Sequence, residues 1–102
     1  HLPMYTTEAE YAHEYDRQRA AWGTVFDKHH LDFMLTGHTH SYYRSGPIRD
    51  GKEIASTAEG TIYLVSAPGL YNTFDIAGNR LEFKTLDATG TVKDQLTIDK
   101  QR

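Results

Sequence analysis

Two histidines, His38 and His40, stand two residues apart directly after an apolar segment, with Gly37 before them. In an extended segment the side chains at positions i and i+2 project to the same side, so both imidazoles can converge on one cation or on two adjacent ones. Glycine lets the chain turn there. Ligand sites also gather where the strands of an α/β sheet end. The spacing favours a metal site, and two polar loop residues are the alternative interpretation.

The composition limits the chemistry around these histidines. The chain has 102 residues and no cysteine, so disulfides and thiolate zinc sites are excluded, and a metal must be held by nitrogen and oxygen. A net charge of -3 leaves no basic surface that could neutralise a nucleic-acid backbone. The longest apolar run, Ile62 to Val65, is too short to cross a bilayer. We therefore expect one small folded unit that binds neither nucleic-acid polymers nor membranes.

The segment before the histidines has a helical pattern. Thr7 and Glu10 have the spacing of a capping box, which predicts a helix from about Glu8 to Lys28. Large apolar residues recur at steps of three and four and predict one buried stripe: Tyr11, Tyr15, Trp22, Val25, Phe26 and His29. Gly23 lies within this helix and weakens it by roughly 1 kcal/mol relative to alanine, so we expect packing to supply the difference.

Short apolar runs and turn residues predict the strands. Leu31 to Thr36 reads as a strand buried on both faces, and Thr61 to Val65 as a second buried strand. Asp50-Gly51 is typical of a two-residue hairpin turn. Leu81 to Leu86 pairs with Val92 to Ile98 in a terminal hairpin. The fold class that these elements predict is α/β.

Two motifs resemble a known family. The block from Gly37 to Ser45, Gly-His-Thr-His-Ser-Tyr-Tyr-Arg-Ser, resembles the Gly-His-x-His block of metallophosphoesterases with the Tyr-x-Arg tail typical of purple acid phosphatases. The opening His1-Leu2-Pro3-Met4-Tyr5 resembles that family's preceding His-x-Pro-x-Tyr segment. The intervening helix has the family's order and length. The chain thus resembles a calcineurin-like metallophosphoesterase of the purple-acid-phosphatase type, over at least residues 1–48.

The resemblance implies a fold and a domain organisation. Residues 1–102 would form the C-terminal part of a four-layer αββα sandwich, with one main helix, mixed and antiparallel strands and a terminal hairpin. The N-terminal half of the catalytic domain would be absent from this chain and would be its structural partner. Relatives of this type are often exported, which makes a secreted or extracytoplasmic location an expectation from the resemblance alone.

The resemblance also implies an activity. The whole protein would hydrolyse a phosphate ester with two metal ions, each iron, zinc or manganese, and a hydroxide would attack phosphorus. His1 and His38 would bind one metal and His40 the other. No side chain of this segment would be a catalytic nucleophile. Monoester, diester and nucleotide substrates remain open, because loops and pocket shape decide among them.

Other polar side chains have weaker assignments. His13 lies where relatives carry histidines that contact substrate phosphate, and an exposed helical histidine is the alternative interpretation. Arg44 could hold a phosphate through two hydrogen bonds or pair with a carboxylate. His29 and His30 stand at the predicted helix end, where cationic side chains interact favourably with the helix dipole. We place His13 and Arg44 in substrate binding and the other two in structure.

The family's metal-ligating carboxylates are missing from this sequence. The Asp-x-Gly, Gly-Asp-x-x-Asp/Tyr and Gly-Asn-His-Asp/Glu blocks of the family do not occur in it. Without bridging carboxylates, three imidazoles cannot hold two cations close together. We therefore expect the isolated chain to be inactive and to bind at most one metal weakly. A non-catalytic histidine metal-binding module and an interaction domain are the alternatives.

Overall fold

A computed structural model of the chain describes residues 1, 3–5 and 12–100, with the side chains of residues 12–14 outside that description. Within these residues the chain is a mixed α/β protein that divides into two units, His1–Ala67 and Pro68–Arg102. The first unit holds the helix and five short strands: α1 (Ala12–Lys28), β1 (Phe33–Thr36), β2 (Tyr43–Arg44), β3 (Ile48–Arg49), β4 (Lys52–Glu53) and β5 (Ile62–Val65). The second holds three longer strands: β6 (Leu70–Ala77), β7 (Arg80–Asp87) and β8 (Val92–Asp99). No helix in the described residues is long and apolar enough to span a membrane.

The helix ends at Lys28, where the sequence predicts it, through a hydrogen-bonded C-terminal motif. The Leu31 N–H donates to the Phe26 carbonyl at 3.1 Å, and the His30 N–H donates to the Asp27 carbonyl at 3.3 Å. His30 has a φ of 55°, the left-handed conformation that follows helices ending in this motif. The predicted capping residues at the other end, Thr7 and Glu10, lie outside the described residues.

The predicted buried stripe of the helix is only partly correct. Tyr15 is buried and Phe26 is half-buried, but Trp22 and Val25 are 50% and 41% exposed. The Trp22 ring stacks on Phe26 with centroids 6.2 Å apart. Helical spacing places these residues on one face, but it does not determine how far the neighbouring elements cover that face. His29 is exposed, and Tyr11 lies outside the described residues.

A three-stranded sheet in the order β1-β5-β2 organises the first unit. β1 and β5 run parallel with Phe33 opposite Ile62, and β2 is antiparallel on the other side of β5. β5 is buried along its whole length, which confirms the prediction for that segment. β1 lies at the edge and its Leu35 is 54% exposed, so the predicted burial on both faces is wrong for β1. A central strand has neighbours on both sides, whereas an edge strand has one.

Two hairpin predictions are confirmed. Asp50-Gly51 joins β3 to β4 with φ values of 55° and 74°, the positive pair of a two-residue turn whose twist matches the strands. In the second unit β7 pairs antiparallel with β8 as predicted, and both strands are longer than the sequence pattern indicated. β6 pairs with the other edge of β7 and was not predicted. Phe83 and Ile98 are the buried apolar side chains of this three-stranded sheet.

Candidate metal centre

The Gly37 to His40 loop begins where β1 ends, beside the end of its parallel neighbour. The Ser66 N–H, just after β5, donates to the Thr36 carbonyl at 2.9 Å, and the Thr36 hydroxyl donates to the Leu64 carbonyl at 2.8 Å. These bonds tie the last residue of β1 to β5. The histidine loop therefore starts from a fixed point at the carboxyl ends of two parallel strands, where ligand sites occur in α/β sheets.

His1 lies against this loop through both its backbone and its ring. The Gly37 N–H donates to the His1 carbonyl at 3.2 Å. The His38 Nδ1 and His1 Nε2 atoms are 3.3 Å apart, and the two rings meet edge to face at 83° with centroids separated by 5.1 Å. The structure thus brings together the two histidines that the resemblance assigns to one metal, although 37 residues separate them along the chain.

The segment that carries His1 is anchored to the first unit. Pro3 and Met4 are buried, and Met4 belongs to the core cluster with Ile48 and Tyr63. The Arg19 guanidinium donates to the Met4 carbonyl. Residues of this chain therefore anchor the segment that carries His1.

The histidine loop has an unusual backbone. His38 and His40 have φ values of 75° and 63°, in the left-handed region. The Thr39 N–H donates to the Gly37 carbonyl at 2.9 Å, which closes a three-residue turn centred on His38. Such turns with a positive central φ are rare and strained. The loop is therefore not extended, and the extended conformation assumed for the same-side projection of positions 38 and 40 is wrong.

This strain has no structural reason of the kind found elsewhere in the chain. Within the described residues four non-glycine residues have positive φ: His30, His38, His40 and Asp50. His30 terminates a helix and Asp50 opens a hairpin turn, both of which need that conformation. His38 and His40 serve neither purpose. Strained non-glycine residues cost roughly 1–3 kcal/mol each and cluster at functional sites, so the loop is a candidate site on backbone grounds alone.

The distance between the two ring nitrogens fits a tetrahedral metal. Zinc binds imidazole nitrogen at about 2.0–2.1 Å, so two nitrogens on one tetrahedral ion lie about 3.3–3.4 Å apart. His1 Nε2 and His38 Nδ1 are 3.3 Å apart. A direct hydrogen bond between a neutral donor nitrogen and an acceptor nitrogen also fits this distance. The pair can therefore supply two of the four ligands of one ion.

Within the part of the chain that the structure describes, the pair does not extend into a larger ligand cluster. Among residues 1, 3–5 and 12–100, no three His, Cys, Asp or Glu side chains come close enough together to hold a metal ion. His40 is exposed and does not join His1 and His38 in one group. The assignment of His40 to a second metal stays a prediction.

The two residues assigned to substrate have different outcomes. The side chain of His13 lies outside the described residues. Arg44 is half-buried in β2, where its Nη1 donates to the Ser45 carbonyl at 3.3 Å. Its role toward phosphate stays a prediction.

Tyr43, the residue before Arg44, is half-buried. Burial raises the pKa of its phenol, and the charge of Glu53 is a smaller cause.

One polar atom of the loop was not singled out by the sequence. The Thr39 hydroxyl, between the two histidines, is buried and has no hydrogen-bond partner within the described part of the chain. Threonine at this position reads as a small spacer, because a sequence pattern does not show which way a loop side chain points.

Comparison with known proteins gives no match: no family model, no curated protein and no solved structure matches the chain.

Proposed function

We propose that this chain is the histidine-bearing, C-terminal part of a metal-dependent phosphoester hydrolase of the purple-acid-phosphatase type. The observation that carries the proposal is the 3.3 Å approach of His1 Nε2 to His38 Nδ1. Histidines with this spacing along the chain are the ones that the motif resemblance assigns to a single metal. The strained turn at His38 supports the same site independently, because strained non-glycine residues cluster at functional sites.

Each residue has a defined task in this proposal. His1 and His38 hold one metal through ring nitrogens, and His40 holds the second. Neutral imidazole suits iron, zinc and manganese, and a pair of such ions orients a phosphate, offsets its charge and lowers the pKa of a bound water. Arg44 orients the phosphate through its guanidinium, and His13 binds the phosphate or protonates the leaving group.

The rest of the site would come from an N-terminal half that this sequence does not contain. Three aspartate-bearing blocks of the family supply the bridging and terminal carboxylates, and the complete four-layer αββα sandwich would position them. Two like-charged cations held only by neutral imidazoles would repel each other. The 102-residue chain by itself is therefore inactive in this proposal, and the phosphate-ester substrate belongs to the whole protein.

A second candidate function is favoured by one observation. His1 and His38 approach each other without a third ligand from the described residues, which suits a single weakly held ion with solvent completing its shell. The chain would then be a non-catalytic metal-binding module. The upstream sequence of the natural gene product separates the two candidates: the aspartate blocks would favour the enzyme, and their loss would favour the module.

The test of the hydrolase uses the natural full-length gene product. It should turn over an aryl phosphate in a metal-dependent way, and His38→Ala should abolish turnover because it removes a metal ligand. His29→Ala, at an exposed position beside the helix end, is the matched control and should leave turnover unchanged. A full-length protein that holds metal but shows no phosphoester hydrolysis with monoester or diester substrates would overturn the enzymatic proposal.

A further inference from the structure

A second concave site lies in the first unit, apart from the histidine loop. It is an open cleft of about 360 Å³ between the helix, the β3–β4 turn, β5 and the segment around Tyr5. This volume is within the range of small-molecule sites, roughly 300–1,000 Å³. His1, His38 and His40 are not among the residues that line it. The cleft is therefore not part of the candidate metal centre.

One wall of the cleft is aromatic and apolar. The Tyr5 and Tyr63 rings lie 4.6 Å apart between centroids, and Ile48 beside them is buried. Burial is the main cause that raises the pKa of Tyr63 to about 12, further above neutral pH than that of an ordinary phenol. A wall of two neutral phenol rings binds flat apolar groups, and it also attracts cations through the ring faces.

The cleft already contains an example of that attraction. The Arg19 guanidinium carbon lies 5.2 Å from the centre of the Tyr5 ring. Arg19 also forms an ion pair with Asp16 and donates to the Met4 carbonyl. The positive charge of Arg19 is thus matched by a partner on the same helix.

Two residues with carboxylate side chains also line the cleft. Asp27 and Asp50 both line the cleft, and the Asp50 N–H donates to Asp27 Oδ2 at 2.9 Å, which fixes the hairpin turn against the helix. The charge of Asp27 is one of the lesser causes that raise the pKa of both Tyr5 and Tyr63, so its negative field reaches the aromatic wall. Asp27 and Asp50 also line an adjoining cavity together with Lys28 and Arg49, which do not line this one. The cleft combines an aromatic wall with two carboxylate-bearing residues.

The helix side of the cleft carries a glycine, Gly23, in the middle of α1. Among the described residues no atom lies within 4 Å of a Cβ built at this position, so close approach of a neighbouring element does not account for the glycine. The expectation that packing of the helix offsets its cost stays a prediction. Glycine is the usual residue where a backbone is approached closely by a ligand.

We infer that this cleft binds a small organic cation with a flat apolar body. The flat body lies against Tyr5 and Tyr63 and reaches the bare helix backbone at Gly23. The cationic group lies beside Asp27 and Asp50. The inference is independent of the hydrolase proposal, since it uses none of the metal-site residues.

The experiment is a titration of the 102-residue chain with phenethylammonium, in which binding is monitored through the amide chemical shifts in NMR spectra. The ligand controls are two analogues of similar size: 2-phenylethanol, which is neutral, and phenylacetate, which is anionic. Phenethylammonium should shift the amide signals of the cleft residues saturably, and phenylacetate should not. Absence of saturable shifts, shifts outside the cleft, or equal binding of all three compounds would overturn the inference.

Variants separate the parts of the site. Gly23→Ala should raise the melting temperature, because alanine favours the helix, and yet weaken binding several-fold because its methyl group enters the cleft. Asp27→Asn keeps an acceptor for the Asp50 N–H but removes the charge, and it should also weaken binding several-fold. Asp75→Asn, an exposed position on β6, is the matched control. Unchanged affinity in either cleft variant would contradict the inference.

Discussion

His38 Nδ1 lies 3.3 Å from His1 Nε2, although the two residues are 37 positions apart in the chain. The contact depends on two independent anchors. The Gly37 N–H donates a hydrogen bond to the His1 carbonyl, and the burial of Pro3 and Met4 fixes the segment that follows His1. If the two imidazoles bind one ion as proposed, folding has already met the entropic cost of bringing them together.

The buried hydroxyl of Thr39 leads to a prediction about stability. Thr39→Val keeps the shape of the side chain and removes a buried polar atom that has no partner in the described residues. We expect the free energy of unfolding in urea to rise by roughly 1–3 kcal/mol, the usual cost of an unsatisfied buried group. Thr39→Ser, which keeps the hydroxyl, should not show this gain. A loss of stability in Thr39→Val would mean that the hydroxyl has a partner.

Ser45 is the opposite case to Thr39, because its buried hydroxyl has a hydrogen-bond partner in β5. The buried Ser45 Oγ accepts a hydrogen bond from the Tyr63 N–H at 2.8 Å. Ser45→Ala should leave that N–H unsatisfied and lower the free energy of unfolding by roughly 1–3 kcal/mol. Ser56→Ala, in the loop before β5, is the control and should change stability little. Equal denaturation midpoints for wild type and Ser45→Ala would show that water replaces the hydroxyl at no cost.

Asp87 makes the free energy of unfolding depend on pH in the acid range. Its carboxylate accepts hydrogen bonds from the Thr89 hydroxyl and the backbone N–H groups of Thr91 and Thr89, and Lys93 lies nearby. These bonds, first of all that of Thr89, lower the pKa of Asp87 from 3.8 to about 2. Because the folded pKa is the lower one, the stabilisation is fully present above pH 3.8 and is lost as the pH falls toward 2.

The measurement compares wild type with Asp87→Ala across that pH range. The difference in their free energies of unfolding should be largest near neutral pH and should narrow as the pH falls from 3.8 to about 2. Asp75→Asn provides the comparison for a carboxylate on the same unit. A difference that stays constant through the window would show that the pKa of Asp87 is the same in the folded and unfolded states.

The isolated chain should not hydrolyse phosphate esters. It contains the three proposed histidine ligands but none of the aspartate blocks of the family that it resembles, so two adjacent cations could not be held with their charges offset. Purified chain incubated with an aryl phosphate and iron, zinc or manganese should release no more phenol than the metal alone. Robust turnover that disappears in His38→Ala would overturn this expectation.

Local signals explain which elements the sequence predicts well. The Asp50-Gly51 turn, the β7–β8 hairpin and the helix end at Lys28 all depend on residues close together in the chain. The exposure of Trp22 and Leu35 depends instead on which elements cover them, which a periodic pattern does not contain. β6 was missed because polar residues interrupt its apolar pattern, and its pairing with β7 decides its conformation.

The sequence could predict which histidines form the candidate site, but it could not predict the backbone conformation of their loop. Spacing singled out His38 and His40, whereas the motif resemblance paired His38 with His1, and the structure brings that pair together. The left-handed backbone at His38 and His40 could not be read from the sequence, since non-glycine residues seldom adopt it. The cleft lined by Tyr5, Tyr63 and Asp27 was not predicted, because it forms between residues far apart in the chain.

The most direct test of the central claim is a calorimetric titration of zinc into the chain and its histidine variants. If His1 and His38 ligate one ion, each alanine variant should lose about tenfold or more in affinity, and the double variant should lose less than the product of the two. His29→Ala should bind as wild type does. Wild-type affinity in His1→Ala, or fully additive losses in the double variant, would contradict a shared ion.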